Sequence, residues 1–186
     1  LNACLARAAN KGSAPEGVRV WNILYADDQA AATTTRENLT FNLNLLLRVT
    51  TAMGMRIHAK GPGSDKESKS VCIFVRGKGN TEEADTSDIE LEDGRSIPFK
   101  SEVVYLGTVI HESLDDRHAV EARIVKASRI FGSLRGAIFG RKRVPMRVKK
   151  QVYISCVLST LLYGCECWTL TEASYDRLRT FHADKI

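Results

Sequence analysis

The apolar positions of this 186-residue chain change their spacing along its length. In the first part they fall in short runs of strand-forming residues, at Val18 to Leu24, Gln29 to Thr35 and Val71 to Val75. Runs of this length, bounded by turn-forming residues, are typical of β-strands. The first two runs flank Tyr25-Ala26-Asp27-Asp28, so we predict a hairpin that carries acidic residues at its tip.

Helical spacing replaces this pattern twice in the first part. The leucines and alanines of residues 1–10 predict the end of a helix, followed by a turn at 11–17. Thr34 and Glu37 match a capping box that opens a helix over 35–53, with Gly54 as its C-terminal stop. The apolar residues that recur at helical spacing in this second helix are Leu39, Leu43, Leu46, Leu47 and Met53.

Two turn signals organise the end of the first part. Asp93-Gly94 predicts a tight turn between a strand at 89–92 and a return through Ile97 and Phe99. A further strand-like run, Val103 to Ile110, is interrupted by Gly107. The first part is therefore expected to mix strands with a helix.

The remainder of the chain has helical periodicity throughout. Asp115 or Asp116 is expected to cap a long helix, Pro145 to open a second and Thr171 to cap a third. The apolar face of the long helix comprises Val120, Ile124, Ala127, Phe131 and Leu134. We therefore predict an α+β fold in which a mixed part of about 110 residues precedes an all-helical part.

Composition limits the class of protein. Hydrophobic residues make up 44% of the chain, which is normal for a globular protein, and no apolar run reaches the roughly 18 residues that span a bilayer. The five cysteines lack the paired spacing of a disulfide framework, so we expect reduced thiols in an intracellular protein. A zinc site built from Cys165, Cys167 and His182 is less favoured than ordinary packing of these side chains.

Charge is distributed unevenly around a net value of +5. Residues 117–151 hold eleven Lys or Arg against the single acid Glu121, whereas residues 82–93 hold seven acids and no base. Such segregation favours a nucleic-acid surface, although a solvated helix face is an open alternative. The candidate contacts to a nucleic-acid backbone are Arg123, Lys126, Arg129, Arg141, Lys142 and Arg143.

The acidic tip is the candidate for chemistry. Two carboxylates about 4 Å apart repel by about 4 kcal/mol at an effective dielectric near 20, and a bound divalent cation would offset this repulsion. Mg²⁺ prefers carboxylate oxygens together with waters and substrate phosphates. Because neighbouring strand residues face opposite sides, Asp27 is the safer ligand and Asp28 the more peripheral one. The alternative is an Asp-rich turn without chemistry, since Asp favours turns for its own hydrogen bonding.

Four segments in this order resemble the reverse transcriptases of non-LTR (LINE-type) retrotransposons, from the second half of the palm through the thumb. Tyr25-Ala26-Asp27-Asp28 is similar to the catalytic Y-x-D-D motif, and Gly54-Met55-Arg56-Ile57 follows the capped helix as in that family. Val104-Tyr105-Leu106-Gly107 resembles the primer-grip hairpin. The segment from Leu162 to Leu170 resembles the thumb-side L-Y-G-x-E-x-W pattern.

The resemblance implies a partial palm over residues 1–110, built as an antiparallel sheet with a packed helix, and a basic, helical thumb with the start of a C-terminal connection over 111–186. It implies RNA-directed DNA polymerisation, in which two Mg²⁺ ions, or Mn²⁺ as a substitute, promote addition of deoxynucleoside triphosphates to a primer 3′ end. Asp27 and Asp28 would serve the metals, Tyr25 would lie beside the primer end, and Tyr105, Leu106 and Gly107 would orient the primer backbone. The partners would be an RNA template and a DNA primer, with the basic helix following duplex phosphates.

The chain departs from the family pattern in several places, among them His58 where Asn is usual and Gln29 where an apolar residue usually follows the acidic pair. The lysine expected on the pyrophosphate side has two candidates, Lys60 and Lys69, because residues 61–68 interrupt the motif. The palm strand that supplies a third metal-binding aspartate, the nucleotide-holding segment and the fingers have no counterpart in this sequence. We therefore expect the isolated chain to be inactive as a polymerase. The alternatives are a decayed retroelement copy acting at most as a nucleic-acid-binding module, and a structural protein with coincidental motifs.

Overall fold

The computed structural model describes the backbone of residues 3–7 and the full residues 22–63, 67–77 and 84–185. The chain forms two compact units, Leu1–Leu114 and Asp115–Ile186. The sequence had placed this boundary between residues 110 and 111. Helices and strands are mixed, which confirms the α+β class.

The first unit contains a four-stranded sheet. Its strands are β1 (Ala3–Arg7), β2 (Asn22–Tyr25), β3 (Asp28–Thr33) and β4 (Val71–Val75), in the order β2-β3-β1-β4. The β2–β3 pair is antiparallel, whereas β1 runs parallel to both β3 and β4. The sheet is therefore mixed, and the expectation of a purely antiparallel palm sheet is wrong for these four strands.

The helix predicted at the start of the chain is also wrong, because residues 3–7 form β1. Five residues are too few for apolar spacing to separate strand from helix. The backbone of β1 pairs with strands on both sides, and tertiary pairing of this kind overrides the helical preference of alanine and leucine. The turn predicted at 11–17 lies outside the described residues. So do residues 18–21 of the strand predicted from Val18 to Leu24.

Helix α1 (Arg36–Ala52) confirms the predicted helix and its end. Leu39, Leu43 and Leu47 are buried at helical spacing, whereas Met53 is 68% exposed and was wrongly assigned to the apolar face. Gly54 has φ of +73°, and the Met55 amide donates to the Thr50 carbonyl at 2.8 Å, as at a glycine helix stop. The cap is one residue later than the motif suggested, because the Asn38 amide donates to Thr35 Oγ1.

Two short antiparallel hairpins follow β4. Strands β5 (Ile89–Glu90) and β6 (Ser96–Ile97) form the first, which confirms the turn at Asp93-Gly94. Strands β7 (Glu102–Tyr105) and β8 (Thr108–His111) form the second. The run that looked like one strand interrupted by glycine is thus a hairpin with Leu106-Gly107 as its turn.

The core of the first unit lies between α1, β4 and the β5–β6 hairpin. Ile57, Cys72, Ile89 and Ile97 are buried against the inward leucines of α1. The acidic segment before β5 is anchored by Arg36, whose guanidinium donates to the carbonyls of Asp85, Ser87 and Asp88 at 2.9–3.1 Å. One arginine at the start of α1 thus ties this segment to the unit.

The second unit is all-helical over its described residues. Its principal helices are α2 (Arg117–Leu134), α3 (Met146–Val152), α4 (Ser159–Leu161) and α5 (Glu172–Ala183). π-Helical turns at Arg135–Phe139 and Tyr153–Leu158 extend α2 and join α3 to α4, and a 3₁₀ turn spans Cys165–Cys167. Among the described residues, no helix has both the length and the apolar character needed to cross a bilayer.

The core of the second unit is formed by Ala127, Val157, Leu161 and Phe181 together with Tyr153. The Tyr153 hydroxyl lies 2.9 Å from His182 Nδ1, and burial raises the pKa of this phenol. Thr171 caps α5 as predicted, since its Oγ1 accepts from the Ser174 amide.

The two aspartates predicted to cap α2 both accept hydrogen bonds, but from different partners. Asp116 occupies the N-cap position without a side-chain cap bond, and its Oδ2 accepts from the Thr169 amide at 2.6 Å. Asp115 accepts from the Arg117 amide and side chain, and these hydrogen bonds lower the pKa of its carboxyl.

The assignment of Thr35 as the N-cap of α1 predicts that substitutions of Thr35 and of its neighbour Thr34 differ in their effect on stability. Thr35→Ala removes the acceptor for the Asn38 amide and is expected to destabilise the first unit by about 1 kcal/mol. Thr34→Ala makes the same change one residue earlier and is expected to alter stability by less than about 0.5 kcal/mol. Urea denaturation of both variants measures the difference. Equal effects would contradict the structural cap.

Candidate active site and basic surface

The acidic pair lies where the sequence predicted it, at the tip of the β2–β3 hairpin. Tyr25 pairs with Asp28, so the connecting loop consists of Ala26 and Asp27 alone. Asp27 is exposed and Asp28 is half-buried at the start of β3. A two-residue loop fixes both carboxylates to the end of a strand pair, which is a more rigid support than a long loop would give.

Ala26 has an unusual backbone conformation for a residue with a side chain. Its φ is +51°, in the left-handed region that costs an L-residue roughly 1–2 kcal/mol. Outliers of this kind persist where the surrounding structure over-determines them, and they cluster at functional sites. A two-residue hairpin loop needs a positive φ of this kind, so the strain at Ala26 follows from the tight turn.

The register of the sheet places Lys69 at the same end as the acidic pair. Ala30 of β3 and Val71 of β4 both pair with Ala3 of β1, so they lie level across the sheet. Asp28 precedes Ala30 by two residues, and Lys69 precedes Val71 by two. Neighbouring strands lie about 4.8 Å apart, and β1 lies between β3 and β4, so the backbones of β3 and β4 are roughly 10 Å apart. A ligand that contacts both must bridge the width of β1.

The two lysine candidates differ in their surroundings. Lys60 forms an isolated bridge with Ser96, where each amide donates to the other's carbonyl at 2.9 Å, beside the β5–β6 hairpin. Lys69 is exposed between the buried residues Ser68 and Ser70, and its amide donates to His58 Nδ1 at 3.2 Å. The geometry therefore favours Lys69 as the lysine that accompanies the acidic turn.

Lys69 lines a groove that the sequence did not reveal. The groove has a volume of about 390 Å³ and lies between the start of β4 and strand β7. Its lining residues are Ser68, Lys69, Val71, Lys100, Glu102, Val103 and Val104. Asp27 and Asp28 do not line it. One wall thus belongs to the hairpin that resembles a primer grip, and a second lysine, Lys100, enters the site.

The β7–β8 hairpin turns through two residues with positive φ. Leu106 has φ of +46° and Gly107 has φ of +81°, as in a type I′ turn. Tyr105 is partly buried and packs against the buried cluster of Val71, Ile73 and Val103, so its ring has a structural role. Its hydroxyl is buried and has no hydrogen-bond partner among the described residues.

Five of the six predicted nucleic-acid contacts are exposed in the second unit. These are Lys126, Arg129, Arg141, Lys142 and Arg143. Within residues 115–185, the ion pairs that the structure shows involve Arg117, Arg177 and Arg179, which all lie outside this set. Among the described residues, these five exposed cations show no ion pair with an acid, and together we call them the basic surface.

Arg123 differs from the other five. It is only 7% exposed, and its guanidinium carbon lies 4.2 Å from the centre of the Tyr163 ring. This cation–π contact holds α2 against the segment after α4. Helical position alone assigned Arg123 to the surface, and it is better described as part of the packing of the second unit.

The loop that carries Arg141, Lys142 and Arg143 is held in place by hydrogen bonds to backbone carbonyls. The Gly140 amide donates to the Arg135 carbonyl at 2.7 Å, and Arg141 Nε donates to the Gly136 carbonyl at 3.0 Å. Lys149 Nζ reaches the Phe139 carbonyl at 2.8 Å. Three cations are thus presented on a fixed turn at the end of the π-helical segment, where carbonyl dipoles favour positive charge.

The acidic turn offers fewer protein ligands than a complete metal site. Within the described part of the chain, no group of three or more His, Cys, Asp or Glu side chains is placed to hold an ion. The weighed zinc site is not formed there, since Cys165 and Cys167 are exposed while His182 Nδ1 contacts Tyr153. Asp27 and Asp28 are thus two carboxylates that lack a third among the described residues.

No protein-family model, curated protein or solved structure matches this chain. The family resemblance drawn from the sequence motifs therefore stays a prediction. The geometry and the charges of the site carry the functional interpretation.

The turn of the β7–β8 hairpin makes a prediction with a matched control. Gly107→Ala places a side chain at a φ of +81° and is expected to destabilise the chain by about 1–2 kcal/mol. Gly132→Ala is the same change in α2, where an added Cβ meets nothing within 4 Å, and is expected to stabilise by up to about 1 kcal/mol. Urea denaturation reports both, and equal signs would contradict the assigned turn.

Proposed function

We propose that this chain is part of the palm and thumb of an RNA-directed DNA polymerase of the non-LTR retrotransposon type. The observation that carries the proposal is the sheet register, which sets Ala30 and Val71 level at one end of the sheet, each two residues after Asp28 and Lys69 respectively. A phosphoryl-transfer site needs anionic groups for metal ions and a cation for phosphate charge. Both types of group occur at this end.

The acidic turn fits part of a magnesium site. Mg²⁺ is held in such enzymes by one or two carboxylates plus substrate phosphates, and Asp27 and Asp28 would be these carboxylates. Bound Mg²⁺ would supply stabilisation of charge on the attacking and departing oxygens. The residues of the chain contribute position: the two-residue loop fixes the carboxylates, and Lys69 offers a cation across β1.

The exposure of strand β2 supports a site that is completed by further residues. Ile23, Leu24 and Tyr25 are 50%, 69% and 64% exposed, although all three are apolar residues of an outer strand of the sheet. Exposed contiguous apolar residues mark surfaces that another segment covers. In the proposed parent enzyme, the fingers and the rest of the palm would cover this strand and supply the third carboxylate. The isolated chain is therefore expected not to extend a primer.

The basic surface supports binding of a primer–template duplex by the second unit. Phosphate contacts from Lys and Arg need no base recognition and give an affinity that falls with salt. This surface does not depend on the acidic turn. It therefore also supports the second candidate function, a nucleic-acid-binding module without catalysis, for a decayed copy of such an enzyme.

The duplex-binding proposal is tested by salt dependence in matched variants. We expect an RNA–DNA hybrid to bind the chain with a log affinity that falls linearly with log salt concentration. The double variant Arg141→Gln and Arg143→Gln should weaken binding and reduce the salt slope by about one for each phosphate that is no longer neutralised. Fluorescence anisotropy at several salt concentrations measures both quantities.

The control is the double variant Arg177→Gln and Arg179→Gln. It removes the same charge from the same unit, but at arginines that are ion-paired with Glu121 and Asp176. Its salt slope should equal that of the unaltered chain. Equal slopes in both double variants, or an affinity that does not change with salt, would contradict duplex binding through the basic surface.

A further inference from the structure

The groove beside β4 contains a second lysine whose position is fixed as firmly as that of Lys69. The Lys100 amide donates to the Cys72 carbonyl at 2.8 Å, and the Cys72 amide donates to the Pro98 carbonyl at 2.8 Å. Cys72 is fully buried, so the segment carrying Lys100 is anchored against the core. Two cations on separate, anchored segments therefore line one groove.

Lys69 is held by a different set of contacts. Ser68 Oγ lies within hydrogen-bond distance of two carbonyl acceptors, that of His58 at 2.9 Å and that of Ser70 at 2.6 Å, and both serines are buried. Lys69 itself is exposed between these two buried serines, so its side chain lies on the solvent side of the segment. The ammonium group is thus presented to the groove by buried hydrogen bonds on either side of it.

Lys100 forms a weak ion pair with Glu67. Lys100 Nζ lies 3.4 Å from Glu67 Oε2, and the Glu67 side chain is 86% exposed. Exposed ion pairs of this kind contribute little to stability, because solvent screens them and long side chains lose entropy. A ligand with more negative charge than one carboxylate can therefore displace Glu67 from Lys100.

We propose that this groove is a phosphate-binding groove in which Lys69 and Lys100 hold one phosphate-bearing ligand and Glu67 competes with that ligand for Lys100. Phosphate groups offer several oxygens and more than one charge, which suits two separate ammonium groups. The groove is also lined by the apolar side chains of Val71, Val103 and Val104 and by the exposed carboxylate of Glu102. Lys100 is the ligand-binding residue that this inference adds.

The inference rests on the proposed function only for the source of the phosphate. A polymerase would present either the diphosphate that leaves during nucleotide addition or a phosphodiester of the primer strand. Binding of a phosphate compound to the groove requires neither metal nor catalysis. A chain that binds pyrophosphate here but fails the duplex test would retain the groove and lose the proposed basic surface, so the two failures are distinguishable.

The test is a titration of the full chain with inorganic pyrophosphate and, separately, with a single-stranded thymidine octanucleotide, followed by NMR shifts of the amides around the groove. Lys100→Met and Lys69→Met should each weaken binding of the true ligand class by at least about threefold. Glu67→Gln should tighten it by about two- to fivefold, because the competitor for Lys100 loses its charge. Lys100→Arg should remain within about twofold of the unaltered chain.

Lys60→Met is the matched control, since Lys60 is an exposed lysine of the same unit that does not line the groove. Its affinity should not change. The compound that binds more tightly, and whose binding depends on both groove lysines, identifies the phosphate source. Equal losses in the Lys60 and Lys100 variants, or a Glu67→Gln chain that binds no more tightly, would overturn the proposal. Glu67→Gln is a gain-of-binding variant, so misfolding cannot imitate its expected result.

Discussion

The parallel pairing of β1 with both β3 and β4 is the constraint on which the candidate site depends. Through Ala3, it brings Ala30 and Val71 level and thereby fixes the acidic turn and Lys69 at one end of the sheet. Without this register, the two groups would belong to unrelated segments separated by a helix and a loop. The two-residue turn at Ala26-Asp27 adds local rigidity, at the expense of a backbone conformation that alanine disfavours.

The two units contribute different physics to the proposed function. The first unit supplies short-range chemistry at fixed positions, with carboxylates on one strand pair and lysines on anchored segments beside β4. The second unit supplies a basic surface whose attraction for phosphates is insensitive to base sequence. Acids of residues 85–93 in the first unit form ion pairs with arginines. Arg36 contacts Asp85, and Arg48 pairs with Glu92. Hydrogen bonds from Arg48 lower the pKa of the Glu92 carboxyl.

Local signals predicted much of the fold, because they act over a few residues. The hairpin at Asp27, the glycine stop of α1 and the Thr171 cap all follow from turn and capping chemistry. Pairing between residues far apart in the sequence could not be predicted from such local signals. Residues 3–7 became a strand because two partners flank them, and Arg123 became buried because Tyr163 lies over it. Lys100 was missed for the same reason, since the long-range bridge between Phe99 and Cys72 brings its segment beside β4.

Manganese-induced broadening of NMR resonances tests most directly whether the acidic turn binds a divalent cation. Mn²⁺ is a paramagnetic substitute for Mg²⁺, so it broadens the amides nearest to where it binds. The account predicts that the amides of Ala26, Asp27 and Asp28 broaden at lower Mn²⁺ concentrations than those of residues 85–93, and that Asp27→Asn abolishes this preference. Broadening that is centred on residues 85–93, or equal broadening at both places, would contradict a metal role for the turn.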